Sequence, residues 1–131
     1  DMRFKEAMDG AYKALDKLRN EKVVGAIGVG INEADTCVKF GKAGDFDLTM
    51  MAGRYTLLDQ SGLDEFMPLV AQKKMGIMLA GVFNSGILAT GAIPNAKYDY
   101  GNASPELLDK VRKMEAVCKA HGKGCGAENF G

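Results

Sequence analysis

The chain has 131 residues, ample for one domain with a core, but only about half of the ~250 residues of a closed eight-unit barrel. Lysine plus arginine and aspartate plus glutamate each number 17, so no electrostatic footprint points to nucleic acid. No apolar run approaches the ~20 residues needed to cross a membrane, and no basic-then-apolar leader is present, so the expected location is cytoplasmic.

In chain order, Phe4, Met8, Ala11, Tyr12, Leu15 and Leu18 recur at three and four residues, which predicts a helix over about Arg3–Asn20. Gly10 inside it costs roughly 1 kcal/mol of helix propensity and is expected to mark close packing. Val23–Ile31 (VVGAIGVGI) is short, apolar and β-branched, and reads as a strand buried on both faces. Asn32 and Asp35 have the spacing of a capping pair for a second helix, Glu33–Lys42, with Gly44 as its stop. A second strand, Phe46–Ala52, follows. Ser61 and Asp64 suggest another capping pair before a helix over Gly62–Lys74, where Pro68 fits only if it lies in the first turns. The third strand is Met75–Val82.

Phe83–Ala103 is rich in glycine, asparagine and small residues and reads as a long loop. Ser104 as N-cap and Pro105 in the first turn open a last helix, on which Leu107, Val111, Met114, Cys118 and His121 share one face. Gly122 and Gly124 end it, and 123–131 reads as a weakly structured tail. Asp1 at the start and KGCGAENFG at the end fit a piece of a longer protein, and equally a processed or trimmed one. The expected class is α/β, a single domain over 1–131 with parallel strands joined by crossover helices. Periodicity leaves an open sandwich and part of a barrel both open.

Polar and small residues gather where these strands end, which is where such folds place their sites. Gly28, Gly30, Gly81 and Gly86 leave backbone accessible. Asn32, Asn84 and Ser85 add amides and a hydroxyl. Tyr55 offers a ring face and Arg54 a cation. The set suits a nucleotide or sugar pocket, although the GVGIN run reads equally as close packing of strand and helix. Neither GxGxxG with a following acidic residue nor GxxxxGK[ST] is present. A tyrosine beside a lysine could move a proton on a sugar oxygen, and Lys97, Tyr98, Asp99 and Tyr100 lie together in sequence. Adjacency on a loop does not make a site, so no catalytic residue is assigned. His121 is the only histidine and fits a helix C-terminus, so no metal site is expected. Cys37, Cys118 and Cys125 have no zinc or redox spacing and read as reduced thiols.

At AGRYTLLDQ and GVFNSGILATG, with AKYDY after them and VGAIGVGIN before, the chain resembles the aldo-keto reductase superfamily. The similarity is to its sugar-oxidising branch of D-threo-aldose 1-dehydrogenases and L-fucose dehydrogenases, related also to pyridoxal 4-dehydrogenase. It includes the later VRKMEAVCKAHG helix and runs from about Phe4 to Gly122. The resemblance implies a partial (β/α)8 TIM barrel, about strands five to seven with their helices, and NAD or NADP as cofactor. It places Gly30 and Asn32 beside the nicotinamide amide, Tyr55 stacked on the nicotinamide ring, and Phe83, Asn84, Ser85, Gly86 and Leu88 along the pyrophosphate. Gly30 is a serine in many relatives, so one hydroxyl is missing. The family's Asp, Tyr, Lys and His tetrad belongs to earlier units, and no residue here matches it.

After Gly122 the chain departs from the family's pattern of an apolar eighth strand. The implied function is part of an oxidoreductase that oxidises an aldose to its lactone, with a sugar substrate in the parent protein and no turnover by these residues alone. The alternative is a non-catalytic, self-associating domain, because strands that read as buried on both faces in so short a chain need a homo-oligomer or a missing N-terminal half to cover them.

Overall fold

The structure is a computed structural model and describes residues 2–124. These divide into two compact units, one built from 2–55 with 61–80 and the other from 56–60 with 81–124.

The first unit opens on the expected helical run, which has three parts: α1 (Met2–Glu6), a π-helical stretch (Ala7–Tyr12) and α2 (Lys13–Asn20). Gly10 lies in the π-helical stretch, and a Cβ there would meet nothing within 4 Å. Close packing is therefore not what the glycine provides. Strands β1 (Gly28–Ile31), β2 (Leu48–Ala52) and β3 (Gly76–Ala80) form one parallel sheet in that order, with Gly30 opposite Met50 and Met50 opposite Met78. The crossovers carry α3 (Ala34–Ala43), then a 3-10 turn (Ser61–Leu63) and α4 (Phe66–Lys73). The class is thus α/β with parallel strands.

The expectation of strands buried on both faces fails. Period-two alternation sends Val29, Thr49, Met51 and Ile77 to the side where Cys37, Val38, Phe66, Leu69 and Val70 make the core. Gly28, Gly30, Met50 and Met78 point the other way and are exposed, Met50 by 40% and Met78 by 50%. Helices cover only one face of this sheet, so an apolar run cannot be read as two-sided burial here. The first strand is also shorter than Val23–Ile31, beginning only at Gly28.

The helix starts differ in detail. Glu33 occupies the N-cap of α3 without a side-chain bond, so Asn32 does not cap it, and the Asp35 carboxylate accepts from the Thr36 N–H at 2.8 Å instead. The Ser61–Asp64 pair falls on the 3-10 turn, and α4 begins at Phe66. Pro68 is then its third residue, within the first turn, where N–H groups have no intrahelical acceptor and none is lost. Gly44 does end α3, in an extended conformation. A Cβ there would lie 2.6 Å from the Phe46 ring and 3.0 Å from that of Tyr12.

One ion network ties the helical run to the sheet. The Arg19 guanidinium donates to Asp16 at 2.7 Å, to Asp47 at 2.8 Å and to the Asp45 carbonyl at 2.9 Å. The same Asp47 oxygen accepts from the Ile27 N–H at 2.8 Å. These bonds fix the entry to β1 and β2, at the end opposite to the one where the sheet's polar residues gather.

In the second unit, the stretch expected as a long loop over 83–103 contains α5 (Ile87–Thr90) and a hairpin of β4 (Lys97–Tyr98) and β5 (Gly101–Asn102). Both are too short to leave a periodic signal. Then α6 (Pro105–Ala120) runs as expected, its Ser104 side chain accepting from the Leu107 N–H at 3.2 Å. The core of this unit is Leu58, Ile87, Leu88, Ala96 and Val111, with Phe83, Tyr98, Leu107 and Met114 packed on it. Cys37 is a free buried thiol, and Cys125 lies outside the described residues. Of the expected tail, 125–131 lies outside the described residues.

Candidate functional site

Parallel pairing brings the C-terminal ends of β1, β2 and β3 to one edge of the sheet. Asn32 follows β1 and is exposed. After β2 the chain turns at Gly53, whose φ of +70° suits glycine and whose N–H donates to the Ala80 carbonyl at 2.9 Å. The Arg54 carbonyl accepts from the Gly62 N–H at 2.9 Å. These two bonds hold the segment that presents Tyr55, which is 37% exposed.

Gly30 lies on the open sheet face. A Cβ added there would meet only the Cβ of Met50, at 3.8 Å, an ordinary contact. A serine would therefore fit without displacing its neighbours. Gly28, two residues earlier, has no such room: its Cβ would come within 2.6 Å of the Leu48 carbonyl oxygen. Of the two glycines, Gly28 is set by packing against β2, whereas the sterics leave the absence of a side chain at Gly30 unexplained.

The second unit carries the other five sequence-assigned residues on one tight segment. Asn84 at φ +47°, Ser85 at +59° and Gly86 at +95° form three consecutive residues in the left-handed region. Phe83 anchors the turn, its carbonyl accepting from the N–H groups of Gly86 and Leu88, both at 3.1 Å. The Ser85 side chain is exposed and nothing lies within 4 Å of a Cβ at Gly86, so this turn presents backbone and a hydroxyl outward. Asn84 and Leu88 are 5% and 8% exposed, and Leu88 packs with Ile87 in the core. Gly30, Asn32 and Tyr55 thus belong to the first unit and Phe83, Asn84, Ser85, Gly86 and Leu88 to the second.

Sequence reasoning missed the residues that steady the short segment 56–60. The Thr56 hydroxyl accepts from the N–H groups of Leu58 at 3.1 Å and Asp59 at 3.0 Å, and the Lys110 ammonium donates to the Leu58 carbonyl at 2.5 Å. Thr56 two and three residues before its donors is a recognisable turn signal. Lys110, 52 residues away, left none. A further concavity of about 600 Å³ lies in the first unit between the starts of α3 and α4, where Lys39, Lys42 and Arg54 face Glu33, Asp35, Asp64 and Glu65. Four carboxylates against three cations mix both signs and mark no ligand of one sign.

Lys97 donates to Asn102 at 2.6 Å, while the Tyr98 hydroxyl donates to Asp59 at 3.3 Å. Neighbours on a strand point to opposite faces, so the two do not act as a proton-transfer pair. Burial, then the nearby Glu33 and Asp35, push the Cys37 thiol up to about 11, which leaves it protonated and unreactive at neutral pH. No group of three or more His, Cys, Asp or Glu is placed to hold a metal among the described residues, and no helix among them is long and apolar enough to cross a membrane.

The aldo/keto reductase family model matches residues 1–127. The chain is 41% identical over 116 residues to D-threo-aldose 1-dehydrogenase of Pseudomonas sp, a match that covers 88% of this chain and 35% of that protein. It is 37% identical over 109 residues to pyridoxal 4-dehydrogenase of Microbacterium luteolum, covering 83% of this chain and 32% of that one. The chain spans about a third of the length of these curated relatives. No solved structure matches.

Proposed function

The chain belongs to the aldo/keto reductase family, and from that premise we propose that it carries part of the cofactor cradle of an NAD(P)-dependent aldose dehydrogenase. In this reading its three parallel strands are about strands five to seven of a (β/α)8 barrel, and the catalytic tetrad lies on other residues of the parent protein. The parent oxidises an L-fucose- or D-threo-aldose-like sugar to its lactone. When bound, the nicotinamide supplies the acceptor for the hydride that leaves the anomeric carbon. Residues of this chain bind and orient: Tyr55 stacks on a ring, Asn32 offers its amide at the sheet edge, and Ser85 and Gly86 present a hydroxyl and backbone to the pyrophosphate.

The observation that carries this reading is the turn Asn84-Ser85-Gly86. Two non-glycine residues are held at positive φ directly before glycine, at an order of 1–3 kcal/mol each, on a segment whose outward side is polar and open. Such strain is retained where a backbone must approach a ligand. The test is a titration of the purified chain with NADPH and NADH, followed by nicotinamide fluorescence, beside Tyr55→Ala and Ser85→Pro. Saturable binding that weakens at least about tenfold in either variant supports the cradle. Equal binding by the wild type and both variants, or none up to millimolar cofactor, rejects it. The chain alone is expected to show no NAD(P)-linked oxidation of L-fucose, and turnover lost in Tyr98→Phe would contradict the absence of a catalytic residue.

A second reading, a self-associating non-catalytic domain, is favoured by one observation: the exposed sheet face with Met50 and Met78. A monomeric mass in solution across the accessible concentration range would count against it.

A further inference from the structure

We propose that Tyr100 is a ring-stacking platform for an aldose, held out from the protein by the β4–β5 hairpin; the choice of sugar rests on the proposed function. Tyr100 is 89% exposed, more than any other large hydrophobic side chain among the described residues. It occupies the second position of a two-residue turn, between Tyr98 and its partner Gly101. Both turn residues have positive φ, Asp99 at +49° and Tyr100 at +69°. Hairpins of this kind take Asn-Gly by preference, because the second position favours glycine. An aromatic residue there is strained and, being exposed, regains nothing by burial.

The base of the hairpin is packed, while the Tyr100 ring at its tip is exposed. Ala96 is buried, Tyr98 and Ala103 pack on the core of the second unit, and the Ala103 N–H donates to the Ala96 carbonyl at 2.8 Å. The Tyr98 hydroxyl is bonded to Asp59 and Lys97 to Asn102. That same core includes Leu88 and packs Phe83, so one compact unit carries both the left-handed turn and the hairpin. A tyrosine ring offers a flat apolar face that suits the C–H face of a pyranose. The Asn102 amide nitrogen, two residues on, can donate to a sugar hydroxyl while its oxygen holds Lys97. Packing among the described residues does not account for the ring at this position, whereas sugar recognition would use its exposed face.

The test uses the full chain with Tyr100→Gly and Tyr100→Phe. L-fucose binding is followed by saturation-transfer NMR and by tyrosine emission, which tryptophan does not mask because the sequence has none. NADPH is titrated in parallel. The expected result is sugar binding retained in Tyr100→Phe, weakened at least about tenfold in Tyr100→Gly, and accompanied there by a thermal midpoint that rises by a few degrees. Sugar binding unchanged in Tyr100→Gly, or absent from the wild type up to about a tenth molar, overturns the proposal. So does a Tyr100→Gly chain that loses its fold, since the strain argument predicts the reverse. If Tyr100→Gly weakens NADPH and spares the sugar, the ring belongs to the nucleotide and the sugar assignment is wrong. Failure of NADPH binding in all three proteins, with the sugar pattern as expected, would instead count against the cofactor cradle and leave Tyr100 in place.

Discussion

Thr49 lies in the middle of β2 with its side chain fully buried, and its hydroxyl finds no hydrogen-bond partner among the described residues. A buried unsatisfied hydroxyl costs about 1–3 kcal/mol, and valine has nearly the same shape without that group. Thr49→Val is therefore expected to stabilise the chain by about 1 kcal/mol, read as a higher midpoint in urea at unchanged slope. A lower midpoint would mean that the hydroxyl has a partner. At Asp47, the Ile27 N–H and then the Arg19 guanidinium hold the carboxyl below the ordinary aspartate value. The sign follows from proton binding: the unfolded chain takes up the proton first as pH falls. The contribution of Asp47 is thus full above the unfolded value of about 3.9 and is lost as pH drops through the lower folded value. Asp47→Asn should lower stability at pH 7 and flatten its decline as pH falls below the unfolded value of about 3.9, as seen in thermal midpoints measured across acid pH.

At the scale of elements, α6 shows what a strong local signal looks like. Ser104 caps it, Pro105 occupies its first position, and Val111 is buried where the apolar periodicity places it. Replacing Ser104 with alanine should cost about 1 kcal/mol by removing the acceptor for the Leu107 N–H. An unchanged unfolding midpoint in that variant would show that water serves the N–H equally well. The first helical run is the contrasting case, because its π-helical stretch surrounds Gly10 with open space. Gly10→Ala should gain about 0.5–1 kcal/mol of helix propensity. A destabilised variant would show that the π-helical geometry itself requires glycine.

For the whole molecule, the exposed face of the β1–β3 sheet is the dominant feature. Parallel sheets are ordinarily covered on both sides, because their crossovers carry helices. Here the helices of the first unit cover one side and leave Met50 and Met78 in contact with solvent. Apolar surface of this kind invites another chain. The expected outcome is a concentration-dependent mass in analytical ultracentrifugation that returns to the monomer value in Met50→Lys/Met78→Lys. If the double variant associates like the wild type, the open face is not the contact.

The sequence by itself determined the α/β class, the helix, strand and crossover order, the capped last helix and the family, because each leaves a local pattern: a period of 3.6 or 2, a cap, or a matching run such as AGRYTLLDQ. It also picked out Asn84, Ser85 and Gly86 as a set. The left-handed conformation of all three is visible only in the structure, since asparagine and serine do not announce positive φ. Tertiary structure alone decided which sheet face is covered, since an apolar strand reads the same whether one or both sides are buried. It alone joined Lys110 to Leu58 and Arg19 to Asp47, because such long-range pairs leave no mark on either segment. It also turned Tyr100 from one more loop residue into an exposed ring on a strained turn, a fact that depends on the register of two strands only two residues long.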